Sequence, residues 1–431
     1  MLAEIKLWGR TIGAASIDSA AICAFEYAEA FRRSGIQPSP IQMPLGSEIF
    51  RFPNLSRETF QGLPGLLADS LPDKFGNALI DAWLASQGRT AASFNAIERL
   101  CYIGSRGMGA LEFYPTQSPQ APSSETLEIA RLVDLASDIL THRNSLQARF
   151  GKDDSAALSE ILRIGTSAGG ARAKAVIAWN PTTQEVRSGQ ADPGKGFAHW
   201  LIKFDGVESN RDKELADPKG YPAIEYAYHL MARDAGVSMM PCQLLEEGDR
   251  RHFLTKRFDR TDQGQKFHMQ SLAALNHFDF NLAGAYSYEQ AFLTIRQLGL
   301  GMDSIEQQFR RMCFNIVARN QDDHVKNIAF LMNKRGQWAL SPAYDVTYAY
   351  NPDGRWTSAH QMTVNGKRDG FTLADFKSAA KTALMKRGRA ATILDEVTET
   401  VARWPTYARQ ANLPTSLSRD IASTHRLQLN D

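Results

Sequence analysis

The chain has 431 residues, of which 43% are hydrophobic and 22% charged; these values exclude a disordered or fibrous protein and predict more than one globular core. Forty-nine basic against 47 acidic side chains give a formal charge of +2, so the overall charge argues neither for nor against a nucleic-acid partner, and any basic surface has to be local. Four scattered cysteines without a C-x-x-C pair argue against a disulfide frame and a zinc site, and favour a reducing compartment.

The opening segment MLAEIKLWGRTIGA alternates like a strand. It carries Glu4, Lys6 and Arg10 where a signal peptide needs an apolar run. No stretch of about 18 apolar residues follows that could form a membrane helix. We therefore expect a cytoplasmic protein without membrane contact.

The first unit is predicted to be a mixed α/β subdomain over residues 1–115. Its elements include strands at Ile5–Trp8 and Leu111–Tyr114 and a helix at Lys74–Ser86. The Pro- and Ser-rich segment YPTQSPQAPSSE then predicts a linker over residues 116–126.

Residues 127–260 predict a small mixed lobe. Helical patterns precede a Gly-rich turn, GTSAGGARAK, that starts at Gly165, and strands and one further helix follow it. The helices are expected at Thr126–Leu140, at Ser155–Ile164 and from Ala223, where Glu225 opens the helix and Gly236 ends it; the strands are expected at Ala175–Trp179, His199–Phe204, Gln243–Leu245 and His252–Thr255. The first two strands are expected to pair as a hairpin.

Residues 261–431 predict a mostly helical lobe, with helices at Tyr288–Leu298, Ile305–Val317 and Ala391–Val401. The order of a Gly-rich turn, strands, one helix, more strands and a helical region is typical of an α+β, two-lobed protein-kinase-like fold.

The segment RNQDDHVKN contains the most informative spacing. Asn327 follows Asp322 by five positions, the D-x-x-x-x-N spacing of kinase catalytic loops, in which the Asp orients the acceptor hydroxyl and the Asn holds magnesium. A polar loop after a helix, with Asp322 or Asp323 as a cap, is the alternative.

Further along, SPAYDVTYAY places Asp345 among apolar neighbours, where a carboxylate needs a cation or N–H donors. This Asp would bridge magnesium to the phosphates, although the D-F-G motif is absent because Val346 and Thr347 follow it. A turn Asp after Pro342 is the alternative.

Two upstream residues could steady the phosphates. Lys203 in HWLIKFDG lies on a predicted strand, and Glu225 begins the next helix, as in the ion pair of kinase small lobes. A solvated lysine at a strand end is the alternative. The Gly-rich turn can bend around an anion, but it has neither G-x-G-x-x-G nor Walker A spacing, and a plain hairpin connection is equally compatible.

The combined segments resemble the HipA-type serine/threonine kinases of bacterial toxin–antitoxin pairs. The resemblance extends over most of the chain and rests on PGLLADSLPDKFG, GSRGMGALEF, SAGGARAK, HWLIKF, EYAYHLMARDAGV, TKRFDR, DDHVKN and SPAYD. The segments from Lys203 onward are the most specific. The Gly-rich turn departs from the family pattern, with Arg172 and Ala173 where Gln and Glu are familiar.

The resemblance implies a role for each matching residue. Asp322 is the catalytic base, Asn327 and Asp345 hold Mg²⁺, and Ser167 is the serine on which such kinases phosphorylate and thereby silence themselves. The residues implied to bind ATP fall into three groups. The covering loop contributes Gly169, Gly170, Ala171, Arg172, Ala173 and Lys174, and the hinge contributes Lys256, Arg257 and Phe258. The others are Lys203, His324, Lys326, Asn327, Tyr344 and Asp345.

The resemblance also implies partners. A HipB-like helix-turn-helix antitoxin and a protein substrate in the translation machinery, of the aminoacyl-tRNA synthetase type, are expected. DNA contact is expected only through the antitoxin complex. A basic region could serve there, unless it is a solvated helix face: Asn365–Phe371 with Lys377, Lys381, Lys386, Arg387 and Arg389.

Three other functions remain open. The chain could be a catalytically idle co-repressor that acts with an antitoxin on operator DNA, or a kinase of a small-molecule or lipid acceptor, since fold does not determine substrate. A metal hydrolase built on Asp322, Asp323 and His324 is disfavoured, because consecutive residues cannot all face one ion in regular structure.

Overall fold

The computed structural model describes residues 1–117, 127–141, 161–162, 164–165, 172–190, 194–207 and 220–430. Outside these ranges lie most of the predicted linker, most of the helix expected at Ser155–Ile164, and four predicted site residues: Ser167, Gly169, Gly170 and Ala171.

The N-terminal subdomain combines a four-stranded antiparallel sheet with short helices. The strands are β1 (Leu2–Leu7), β2 (Arg10–Ile17), β3 (Cys23–Tyr27) and β4 (Leu111–Tyr114), in the order β3-β2-β1-β4. The helices are α1 (Glu29–Arg32), α2 (Arg57–Phe60), α3 (Gly65–Ala68), α4 (Lys74–Ser86) and α5 (Ala96–Ile103). The predictions for α4 and β4 are confirmed, whereas the first strand begins at Leu2 and ends before Trp8, which turns with a φ of 51°.

The small lobe is a five-stranded antiparallel sheet packed against helices. Its strands are β5 (Lys174–Trp179), β6 (Val186–Ser188), β7 (Ala198–Lys203), β8 (Cys242–Glu247) and β9 (Arg250–Lys256), in the order β6-β5-β7-β9-β8. Helix α6 (Ile129–Thr141) precedes the sheet and α7 (Tyr221–Asp234) lies between β7 and β8. The expected pairing of β5 with β7 is confirmed, but the simple hairpin is wrong because β6 lies between them in sequence and pairs with the outer edge of β5.

The C-terminal lobe is helical around a small sheet. Strands β10 (His268–Ser271), β11 (Ala329–Met332) and β12 (Trp338–Leu340) pair antiparallel in that order. The helices are α8 (Leu272–Asn276), α9 (Tyr288–Gln297), α10 (Met302–Val317), α11 (Leu373–Thr382), α12 (Arg389–Val401), α13 (Trp404–Gln410) and α14 (Thr415–Thr424). Together with the small lobe this confirms the predicted α+β class.

The described residues form three hydrophobic cores, and a core can include residues from more than one of these parts. Phe75 and Leu79 of α4 belong to the core beneath the small-lobe sheet, beside Ile202 of β7. Met332 of β11 belongs to the core of the N-terminal subdomain. The N-terminal subdomain is therefore packed against both lobes. The domain boundaries at 115, 126 and 260 stay predictions.

Within the described ranges, no helix has the length and apolar character needed to cross a bilayer.

Candidate active site

An ion pair joins the small-lobe sheet to helix α7. The Lys203 Nζ, at the end of β7, donates a hydrogen bond of 2.6 Å to Glu225 Oε1. Glu225 lies in the second turn of α7, which begins at Tyr221, so the expectation that Glu225 opens the helix is wrong. Both side chains are almost fully buried, so each charge depends on the other.

Asp345 completes a three-member cluster with this pair. Its Oδ1 accepts a hydrogen bond from Lys203 Nζ, and its backbone has a φ of 53°, in the left-handed region that a non-glycine residue enters at a cost. Burial alone would raise the pKa of Asp345, but the charges of Lys203 and Lys174 outweigh it and hold that pKa well below the ordinary value. Burial would likewise lower the pKa of Lys203, and Asp345 and Glu225 raise it instead. Both groups are therefore charged near neutral pH.

The predicted catalytic loop begins after α10 and ends in a short 3-10 turn, Val325–Asn327. The side chain of Asp322 is 53% exposed, so its carboxylate is open to an incoming hydroxyl. The Asn327 amide nitrogen donates a 2.9 Å hydrogen bond to the backbone carbonyl of Asp322, which leaves the Asn327 amide oxygen for another partner. Asn327 and Asp345 line the same small cavity.

The neighbouring Asp323 points in the opposite direction, into the protein. Its carboxylate accepts hydrogen bonds from the Tyr288 hydroxyl at 2.7 Å, from His360 Nδ1 at 2.8 Å and from the Gln361 backbone N–H at 2.8 Å. The other His360 nitrogen, Nε2, accepts from Arg426 at 2.9 Å. Asp323 thus fixes the loop on which Asp322 is exposed, a role that the sequence could not separate from that of its neighbour.

We expect Asp323→Asn to lower the free energy of unfolding by about 1–3 kcal/mol, the cost of an unmatched buried donor, because the new NH₂ group would face other donors. Burial alone would raise the pKa of Asp323. The His360 side chain and the hydrogen bonds that Asp323 accepts from His360, Tyr288 and Gln361 outweigh burial and lower that pKa. The contribution of the ionised Asp323 to the free energy of unfolding is therefore fully present above the ordinary carboxyl pKa of about 4. It is lost as the pH falls through the lowered pKa of the folded state. Chemical denaturation at neutral and acid pH tests this: the gap between wild type and variant should shrink in acid. Equal losses for the exposed Asp322→Asn control would contradict the assignment.

The described end of the Gly-rich turn places its charged side chains on two different carboxylates. Arg172 lies over the Tyr221 ring with its Nη1 3.7 Å from Glu225 Oε2, and Lys174 Nζ lies 3.4 Å from Asp73 Oδ2. Ala173 is buried, and its carbonyl accepts from the Phe204 N–H. Arg172 and Lys174 therefore face the Lys203 cluster, and the nucleotide-covering role of this turn stays a prediction.

The predicted hinge lies between the lobes. Lys256 ends β9 and pairs with Asp262, and the ring of Phe258 contacts that of Tyr344 at 5.4 Å between centroids. The buried Arg257 guanidinium points away from the Lys203 cluster and binds Asp259 through two hydrogen bonds. The Arg257 backbone N–H donates to the His199 carbonyl at 2.9 Å, and the adenine contact predicted for Arg257 stays a prediction.

The remaining predicted nucleotide residues lie around the catalytic loop. His324 Nε2 is 4.0 Å from Asp322 Oδ1, and Lys326 Nζ lies 5.1 Å from the centroid of the Phe280 ring. The Tyr344 hydroxyl donates to the Lys326 carbonyl at 2.6 Å, which ties the segment before Asp345 to the loop. The nucleotide contacts expected of these residues stay a prediction.

The basic region predicted for partner contact is partly neutralised. Lys367 pairs with Asp375 at 2.8 Å, Arg389 with Glu306 at 2.8 Å, and Arg368 donates to the His360 carbonyl. The DNA-contact role predicted for this region stays a prediction.

The donor chemistry of the site fits ATP and Mg²⁺. Carboxylate and amide oxygens of Asp345 and Asn327 are ligands that Mg²⁺ prefers, and this ion is usually held by one or two protein groups plus phosphate oxygens. In the described part of the chain, no group of three or more His, Cys, Asp or Glu residues is placed to hold a metal ion by itself. Lys203 places a fixed positive charge beside Asp345.

Comparisons with known proteins match both the N-terminal and the C-terminal part of the chain to one family. A family model described as the HipA N-terminal domain matches residues 3–114, and one described as the HipA-like C-terminal domain matches residues 166–404. A Sinorhizobium fredii protein named "Putative kinase Y4dM" is 27% identical over 250 residues, which cover 52% of this chain and 56% of that protein. The match thus spans only about half of this relative's length. A solved complex of HipA, HipB and operator DNA from Shewanella oneidensis is similar over 98% of this chain and 95% of the matched one, with a TM-score of 0.67 and 17% identity, which shows a common fold.

Proposed function

The chain belongs to the HipA family, and from that premise we propose that it is an ATP- and Mg²⁺-dependent protein kinase that phosphorylates serine or threonine. The observation that carries the proposal is the convergence of Lys203, Glu225 and Asp345 beside the loop that bears Asp322 and Asn327. Phosphoryl transfer depends mainly on positioning and charge neutralisation, and this cluster offers both.

Each side chain has one task in the proposed reaction. Lys203, held by Glu225, neutralises phosphate charge, and Asp345 with Asn327 would hold the ion. Asp322 accepts the proton of the attacking hydroxyl. Bound Mg²⁺ would supply charge neutralisation between the phosphates. The protein's own contribution is to keep these groups in place before the nucleotide arrives.

The resemblance to HipA kinases extends the proposal to the acceptors. We infer a protein substrate in the translation machinery, of the aminoacyl-tRNA synthetase type, and autophosphorylation on Ser167. A phosphorylated serine carries a charge of about −2, and in a loop over the nucleotide phosphates that charge would be repelled. Autophosphorylation is thus proposed to silence the enzyme.

The likeness to a solved HipA–HipB–DNA complex supports a partner of the HipB type. We propose that the chain binds a small helix-turn-helix antitoxin in the cytoplasm and reaches operator DNA only through it.

The proposal is tested by phosphoryl transfer from labelled ATP to the full chain. We expect Mg²⁺-dependent incorporation that peptide mapping assigns to Ser167 and that excess EDTA abolishes. The Ser167→Ala variant is the control: it should lose self-labelling but keep ATP binding and transfer to a protein acceptor. Labelling of Ser167→Ala as strong as that of wild type contradicts the assignment of the serine. Absence of ATP binding and of transfer in wild type contradicts the kinase.

A further inference from the structure

A carboxylate of the N-terminal subdomain reaches the candidate nucleotide site. Asp73 caps helix α4, and its Oδ1 accepts from the Gly76 N–H at 2.7 Å. Its second oxygen, Oδ2, is buried, accepts no hydrogen bond from the residues that the structure describes, and lies 3.4 Å from Lys174 Nζ. The side chains of Asp73 and Lys174 are only 5% and 2% exposed. One residue thus serves two elements, as the cap of α4 and as the counter-charge of the Gly-rich turn.

Lys174 needs this counter-charge because of where the sheet places it. In the antiparallel pairing of β5 with β7, Lys174 is the direct partner of Lys203. Directly opposed residues point to the same face of a sheet with their Cβ atoms about 5 Å apart, and like charges at that distance repel. Lys203 is compensated by Glu225 and Asp345. Lys174 has its carboxylate from Asp73, about a hundred residues earlier in the chain.

The backbone around Asp73 is held firmly against both lobes. Phe75 and Leu79 of α4 are fully buried in the core beneath β5 and β7. Four residues before Asp73, the Asp69 carboxylate accepts from the Ser271 N–H at 2.6 Å and from its hydroxyl at 2.8 Å. Gly65 lies so close to α8 that a Cβ would be 2.1 Å from the Ala274 carbonyl oxygen. Asp73 therefore cannot move away from Lys174 without disturbing these contacts.

We propose that Asp73 is a positioning residue of the nucleotide site, which keeps Lys174 charged and directed toward the phosphates of ATP, so that the N-terminal subdomain completes the site. This inference rests on the proposed function and adds a residue to it from outside the segment that matches the C-terminal family model. The alternative is that Asp73 competes with the phosphates for Lys174.

Burial decides between these two possibilities. It lowers the pKa of Lys174 and raises that of Asp73, and the attraction between the two groups opposes both shifts. Removing Asp73 would take away the carboxylate that lies 3.4 Å from this buried ammonium while Lys203 still faces it, which favours loss of the Lys174 proton or displacement of its side chain. Weaker ATP binding is therefore the expected consequence, not tighter binding.

The test uses Asp73→Asn in the full chain. Asn is as good a helix cap as Asp, so the variant removes the charge and keeps the cap. We expect the Kd for Mg²⁺ and a non-hydrolysable ATP analogue, measured by calorimetry, and the KM for ATP to rise by roughly ten- to a hundredfold, as for loss of a charge-assisted contact, while kcat changes far less. Lys174→Met should show the same effect, and the double variant no more than either single one. Asp81→Asn, on the same helix with a half-exposed carboxylate bound to Arg99, should leave both constants unchanged.

Three outcomes overturn the proposal: an unchanged KM and Kd, effects of the two substitutions that add fully, or tighter nucleotide binding. If Asp73→Asn proves unfolded by thermal melting, Asp73→Ser, which also keeps a capping oxygen, decides the matter by the same measurements. A wild-type protein that neither binds ATP nor transfers phosphate would instead overturn the proposed function, so the two failures are distinguishable.

Discussion

Replacing Asp322 by Asn should abolish phosphoryl transfer while leaving the fold and the binding of Mg²⁺ and ATP intact. The side chain of Asp322 is half-exposed, and His324 Nε2 lies 4.0 Å from its Oδ1. Its loss should therefore change the free energy of unfolding by less than about 0.5 kcal/mol, as for an ordinary surface substitution. The proton acceptor, however, disappears, and the transfer rate should fall by about 10²- to 10⁴-fold.

Single-turnover transfer of labelled phosphate measures this rate separately from nucleotide binding. Asp323→Asn is the matched comparison, because it makes the same chemical change one residue later on a buried carboxylate. The first variant should be stable and inactive, whereas the second should be destabilised. Transfer by Asp322→Asn within about threefold of wild type would rule out the residue as the base.

The local elements around this site were predictable because their signals are local. Helix α4 was predicted with both ends correct, since an Asp cap precedes an amphipathic run and Gln87 with Gly88 ends it. The small sheet β10–β12 was missed in a region predicted to be mostly helical. Its strands have three or four residues, and His268 pairs with Met332, a contact far along the chain that no local period reveals.

The candidate site likewise has some features that the sequence contains and others that only the fold determines. The spacing from Asp322 to Asn327 is a property of one loop, so the sequence contained it. The contact between Asp73 and Lys174 joins two segments that are distant in the chain. The segment around Asp73 contributes to the family resemblance, but the resemblance implies no role for Asp73. Asp322 and Asp323 are chemically identical neighbours, and only the fold determines which one is buried.

Lys203→Met is expected to have the second large effect, on stability as well as on activity. Among the described residues it leaves Glu225, which is 3% exposed, with Arg172 at 3.7 Å as its one ion pair, and it removes the Lys203 hydrogen-bond donor to Asp345. Breaking a buried pair by removing one partner typically costs about 3–5 kcal/mol, because the other charge stays buried. The free energy of unfolding should fall by about that amount, and phosphoryl transfer should be lost.

A second variant separates the structural loss from the functional one. In Lys203→Met/Glu225→Met both buried charges are replaced by apolar side chains of similar length, a change that is often neutral for stability. Arg172 keeps its contact with the Tyr221 ring, at 3.4 Å from the guanidinium carbon to the ring centroid. The double variant should therefore recover most of the lost stability in chemical denaturation, yet remain unable to bind ATP tightly or to transfer phosphate, because the fixed charge for the phosphates is gone. If the double variant regains activity together with stability, Lys203 supports only the fold, and the phosphates must be neutralised by other groups.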